Sequence, residues 1–219
     1  MARTVWANVN LSGDTDLTPI EPTIASVGVT SLANKHTLAK NEIGRLLRLR
    51  LSDYKAKMRP VEEGVDGATV AEGTTFTSSG SSFSLNKVTT SARLWIYSGD
   101  DVGVYTFTGV TATTLTGCSP AFAATAGSLS FYIEADVLDL IKNPLILTPA
   151  AAFLALHYAA LELVQSVGDF WDMKQSLYRH RFQETYKELA PDLLIDSDQD
   201  DVISTSERKM GITGGTLER

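Results

Sequence analysis

The run "LILTPAAAFLALHYAALELV", Leu145 to Val164, constrains this chain more than any other stretch. Thr148-Pro149 reads as an N-cap followed by proline at the first helical position, where a missing N–H leaves nothing unpaired. The predicted helix runs from Pro149 to about Val167, is apolar nearly all the way round, and stops at Gly168. After the proline it falls short of the roughly 20 apolar residues of a membrane span, and it carries His157 and Glu162. The expectation is a buried helix and no membrane partner. A helix that must be covered on every side asks for more cover than one small domain supplies. A neighbouring copy is expected to provide part of it, with Phe153, Leu156, His157 and Leu161 at the interface between copies.

Around this helix the chain changes character several times. Residues 1–34 are rich in Thr, Ser, Pro and Gly without sustained periodicity, and read as an N-terminal arm or a set of short strands. From Lys35 the pattern turns helical: Ile43, Leu46, Leu47, Tyr54 and Met58 recur on one face, with Arg45, Arg48, Lys55 and Arg59 opposite. Eight Lys and Arg against two acids lie between Lys35 and Arg59. That stripe suits an acidic neighbouring subunit, DNA, or plain solvent. Residues 60–132 are dominated by Gly, Ser and Thr, and "ARLWIYSGDDVGVYTFTGVTATTLTG" reads as strands punctuated by turns. Helices return over 133–190: a short one in "EADVLDLIK", the apolar helix, and an amphipathic one from Phe170 to about Ala190. The last presents Leu177, Tyr178, Phe182, Tyr186 and Leu189 on one broad face. Residues 191–219 are an acidic loop and a tail.

The predicted class is therefore α+β. A helical bundle core (35–59 and 133–190) carries an inserted small β-sandwich or barrel module (60–132) and extended terminal arms. With 219 residues and 43% apolar content the chain can bury a core of one or two small domains. A formal charge of −7 argues against a general nucleic-acid binder. Cys118 is alone, so no intrachain disulfide forms, and "MARTVWANVNLSG" lacks the apolar stretch of a secretory signal. His36, His157 and His180 stand apart, and no nucleophile elbow, phosphate loop or dinucleotide fingerprint is present. No enzymatic activity is expected.

The one metal-like pattern is "DSDQDDVISTSE", Asp196 to Glu207. A twelve-residue calcium loop supplies hard oxygens at alternating positions. Asp196, Asp198 and Asp200 fill the first, third and fifth places, Val202 offers a carbonyl at the seventh, Ser204 stands at the ninth and Glu207 at the twelfth. Asp201 replaces the glycine usual at the sixth. The stretch reads either as a Ca2+ site, the sole cofactor expected, or as a solvated acidic turn. In the tail, Ile212 and Leu217 suit an extended strand ending at Arg219, fitted to add itself to a partner's sheet edge.

Taken together, "DVLDLIKNPLILTPAAAFLALHYAALELV", "SLYRHRFQETYKELA" and "DLLIDSDQDD" resemble the head–tail connector (adaptor) proteins of tailed bacteriophages. The resemblance implies a virion protein of the neck, assembled in the host cytoplasm as a ring of usually twelve copies. Its partners would be the portal protein, stopper or tail proteins, and DNA passing through the channel without sequence-specific contact. The large β insertion and the long N-terminal segment also suit a stopper or tail terminator. A different class, a host-surface or carbohydrate-binding module, would use Trp95, Tyr97, Tyr105 and Phe107 as a platform. Alternating strands are expected to bury about half of those rings.

Overall fold

The structure is a computed structural model that describes residues 5–55, 58, 60–86, 88–196, 202–204 and 207. Helices and a curled antiparallel sheet of seven strands make it α+β. Two compact units divide the chain. One gathers the first seven residues with 54–140, and the other joins 8–53 to 141–196.

The sheet unit contains β1 (Glu62–Thr69), β2 (Phe76–Ser78), β3 (Arg93–Ile96), β4 (Gly103–Tyr105), β5 (Gly109–Val110), β6 (Thr114–Thr116) and β7 (Ala126–Glu134), in the order β4-β3-β7-β1-β2-β6-β5. Curling brings the segment after β4 to the segment after β6, where Thr106 and Ser119 exchange backbone bonds. Phe76, Phe83 and Phe131 cluster inside, with Phe76 and Phe131 edge to face at 4.9 Å. Glycines on β1 make room for them: a Cβ at Gly64 would meet the Phe131 ring at 2.7 Å, and one at Gly67 the Phe76 ring at 2.6 Å. The unit outruns the expected 60–132. Strand β7 continues through Glu134, and "EADVLDLIK" yields a 3-10 turn, Val137–Leu140, in place of an α-helix. All four residues of that turn are buried, so burial and not helical propensity sets its form. Asp139, fully buried, accepts hydrogen bonds from the Trp6 backbone N–H (2.7 Å), the Thr89 hydroxyl (2.8 Å) and the Ser91 hydroxyl.

The helical unit contains α1 (Asp14–Leu17), α2 (Leu32–Arg50), α4 (Thr148–Leu163) and α5 (Phe170–Leu189); a short α3 (Ser52–Lys55) follows α2. Helix α4 packs against α1, α2 and α5. It starts otherwise than expected: the 3-10 turn Pro144–Leu147 runs straight into it, Thr148 is already helical, and buried Leu147 takes the N-cap place. The reading of residues 1–34 as an arm is corrected over 8–31. Leu11, Leu17 and Ile24 are buried, and Glu21 accepts from both Lys174 (2.5 Å) and Tyr178 (2.6 Å) of α5. His36 of α2 bonds Ser12 (2.8 Å) and Asp14 (3.0 Å). The start of the expected tail also packs: Leu193 and Ile195 are buried, and Ile195 bridges Ile141.

Candidate assembly interface

The four residues expected between copies have different surroundings. Leu156 is wholly buried in its own chain, which corrects its assignment to an interface; α4 meets other helices on more than one side. Phe153 is half-buried. His157 is half-buried too, and its Nδ1–H donates to the Gln175 carbonyl of α5 at 2.9 Å. Leu161 alone stands out, 46% exposed.

Leu161 has exposed apolar neighbours in sequence: Val167 in the turn between α4 and α5, then Phe170, Met173 and Leu177 at i, i+3 and i+7 along α5. Leu177 was expected on the buried face, but that face is centred on Tyr178, Phe182 and Tyr186 and leaves Leu177 outside. The turn between α4 and α5 is well bonded. Helix α4 ends at Leu163, earlier than expected, because Val164 is extended. Gly168 takes φ +82°, a conformation that suits glycine. The Asp169 carboxylate accepts from the N–H groups of Asp172 (2.8 Å), Gln165 (2.8 Å) and Ser166 (3.0 Å), and the Asp172 bond leads in holding it below the usual carboxylate range.

Of the basic stripe, Arg45 and Arg48 are exposed on α2. Arg45 grips Glu42 with two bonds, at 2.8 and 2.9 Å. Lys55 Nζ lies 3.6 Å from Glu134 of the same chain, so the acidic surface it faces is its own. Arg59 lies outside the described residues, as do Ile212, Leu217 and Arg219 of the tail.

Both ends of the acidic loop have protein partners. Asp196 is 2% exposed and pairs with Lys142 at 2.8 Å. Glu207 accepts from the Ser204 N–H at 2.7 Å, while Ser204 Oγ accepts from the Glu207 N–H at 3.3 Å. This is the reciprocal bonding of a helix capping box. A calcium ion at Glu207 would compete with that cap for the same carboxylate. Val202 is exposed, and Asp198 and Asp200 lie outside the described residues. Among the described residues no group of three or more His, Cys, Asp or Glu could hold a metal ion.

Tyr105 and Phe107 are buried, whereas Trp95 is half-buried and Tyr97 exposed, as strand alternation requires. Trp95 stacks on Tyr132 (5.7 Å, 7° between planes) and its indole N–H is held by Glu134 at 3.0 Å. The helical run Pro144–Leu163 is long and apolar enough to cross a membrane by composition, but 61% of its apolar window is buried in the protein, as in a core helix. No protein-family model, no curated protein and no solved structure matches the chain.

The α4–α5 contact carries a pH dependence. Burial pushes the His157 pKa below its ordinary 6.5, with the Arg179 charge acting the same way against the Gln175 bond. The unfolded chain therefore takes up this proton first as the solution is acidified. Stability from neutral His157 is complete above about pH 6.5 and is lost as pH falls through the folded value. Urea midpoints between pH 7.5 and 5 should fall more steeply for the natural chain than for His157→Gln, which keeps a donor but does not titrate. Equal slopes would show that His157 is not responsible.

Proposed function

We propose that this chain is a structural subunit of a tailed-bacteriophage neck: a head–tail adaptor that assembles, without enzymatic activity, into a ring beneath the portal. In this reading a helical bundle core carries a sandwich- or barrel-like β-module and assembles with portal, stopper or tail proteins around the DNA channel. The observation that carries it is the exposure of the large apolar side chains Leu161, Val167, Phe170, Met173 and Leu177 at the end of α4, in the turn and along α5. Val167 is 98% exposed and Met173 63%. Large apolar side chains so displayed are what a subunit buries on assembly. Their exposure supports subunit assembly, and the resemblance of the helical segments supports the neck.

The test is the size of the purified chain by light scattering and electron microscopy over rising concentration. Rings are expected. The triple variant Leu161→Asp, Phe170→Asp, Met173→Asp should stay monomeric with an unchanged circular dichroism spectrum. A natural chain that remains a monomer throughout would refute ring assembly.

A further inference from the structure

Ring formation draws on exposed apolar side chains, and one of them is also chemically reactive. Met173 lies on α5 with Phe170 one turn before it and Leu177 one turn after it. The i, i+3 and i+7 spacing puts all three on one stripe of the helix, and all three are exposed. An unbranched, polarisable methionine fits itself to irregular surfaces and packs well beside aromatic rings, which suits the middle of a contact. The same thioether stands open to oxidants.

Other sulfur atoms of the described chain are better shielded. Cys118 is buried, and burial pushes its thiol pKa up to about 11, so little of the reactive thiolate forms at neutral pH. Met58 is half-buried. Helix α5 also gives an oxidised Met173 little support. Lys174 and Tyr178, on the adjoining stripe, already direct their polar ends to Glu21, at 2.5 and 2.6 Å. Asp169, one turn earlier, carries a carboxylate, which accepts hydrogen bonds and donates none.

We propose that Met173 is a reversible oxidation site that controls assembly of the ring. A peroxide transfers one oxygen atom to the thioether sulfur. The sulfur–oxygen bond forms as the O–O bond breaks, sulfur gives up an electron pair, and with hydrogen peroxide the remaining oxygen leaves as water. The sulfoxide places a dipolar oxygen in the middle of the apolar stripe. In the free chain water hydrates that oxygen. Covered by a second copy, it loses the water while Lys174 and Tyr178 remain committed to Glu21. Oxidation therefore favours the free chain, and enzymatic reduction of the sulfoxide restores the stripe. The inference rests on the ring reading and adds how the contact is regulated.

The full natural chain, diluted until monomeric, is treated with hydrogen peroxide and then catalase. Mass photometry follows assembly, and peptide mass spectrometry follows each methionine. Conversion of Met173 to its sulfoxide should weaken assembly about tenfold or more with an unchanged circular dichroism spectrum. The two methionine sulfoxide reductases, one for each epimer, should restore it. In rings formed beforehand, Met173 should oxidise about tenfold more slowly than in the free chain. Met58→Leu with Met210→Leu should leave the peroxide sensitivity intact. If the natural chain assembles and chains oxidised at Met173 assemble equally well, oxidative control is wrong and the ring proposal stands. Oxidative control also falls if Met173 oxidises as fast in rings as in the free chain, or if the Met58, Met210 variant loses its sensitivity. Assembly lost together with the circular dichroism signal would assign the effect to folding and overturn it as well. A natural chain that never assembles removes both proposals.

Discussion

Asp139→Ala is expected to destabilise the sheet unit by about 3–5 kcal/mol, since each buried donor left unpaired costs roughly 1–3 kcal/mol. The carboxylate is wholly buried and accepts three bonds, from the Trp6 backbone and from the hydroxyls of Thr89 and Ser91. These donors come from the N-terminal residues and from the segment preceding β3, so one side chain ties segments distant in sequence to the turn after β7. Alanine would leave the Trp6 backbone N–H without its carboxylate acceptor. Asp139→Asn keeps one carbonyl oxygen and should lose about half as much. A loss of this size is a large part of the stability of an ordinary domain, about 5–15 kcal/mol. It should appear as a marked fall in the urea midpoint. A midpoint that moves no more for Asp139→Ala than for the exposed Asp100→Ala would show that the three bonds do not hold the unit.

The second large effect separates folding from assembly on one helix. Leu156→Ala should cost the helical unit about 2–5 kcal/mol, the range for emptying a fully packed leucine site. Leu161→Asp, five residues further along α4, should change monomer stability by only about 0.5 kcal/mol, because its side chain is 46% exposed. The same substitution replaces one of the exposed apolar side chains with a carboxylate, and should prevent ring formation. The readouts are thermal denaturation for the first and particle size for the second. A Leu156→Ala chain as stable as the natural one, or a Leu161→Asp chain that still forms rings, would contradict this division.

Much of the helical unit was legible. Asp169 caps α5 immediately before the predicted Phe170 start, and the apolar period of α2 places Ile43 and Leu47 inside with Arg45 and Arg48 outside. Strand β1 was not legible as a strand. "EEGVDGAT" has the composition of a turn, and it forms a central strand because Phe131 and Phe76 lie against its glycines. The expected calcium ligand Glu207 shows the same limit at one residue. Ser204-x-x-Glu207 satisfies both the end of a calcium loop and a capping box, and the bonds formed are those of the cap. Lys55 carried a charge plain in the sequence, while its partner Glu134 stands 79 positions away and no local pattern connects them.

The sequence by itself determined the alternation of helical and strand-forming segments, the basic band from Lys35 to Arg59, and the acidic region that follows it. Those are set by nearest-neighbour periodicity and by ionisable side chains, which need no knowledge of the fold. Only the tertiary structure decided which apolar faces are covered. It sealed Leu156, left Leu161, Met173 and Leu177 in solvent, and drew Leu11, Leu17 and Ile24 from an apparent arm into the interior. The physical reason is that burial depends on what the rest of the chain brings alongside a residue. An apolar helix announces that it needs cover; the segments packed against it determine where cover is missing.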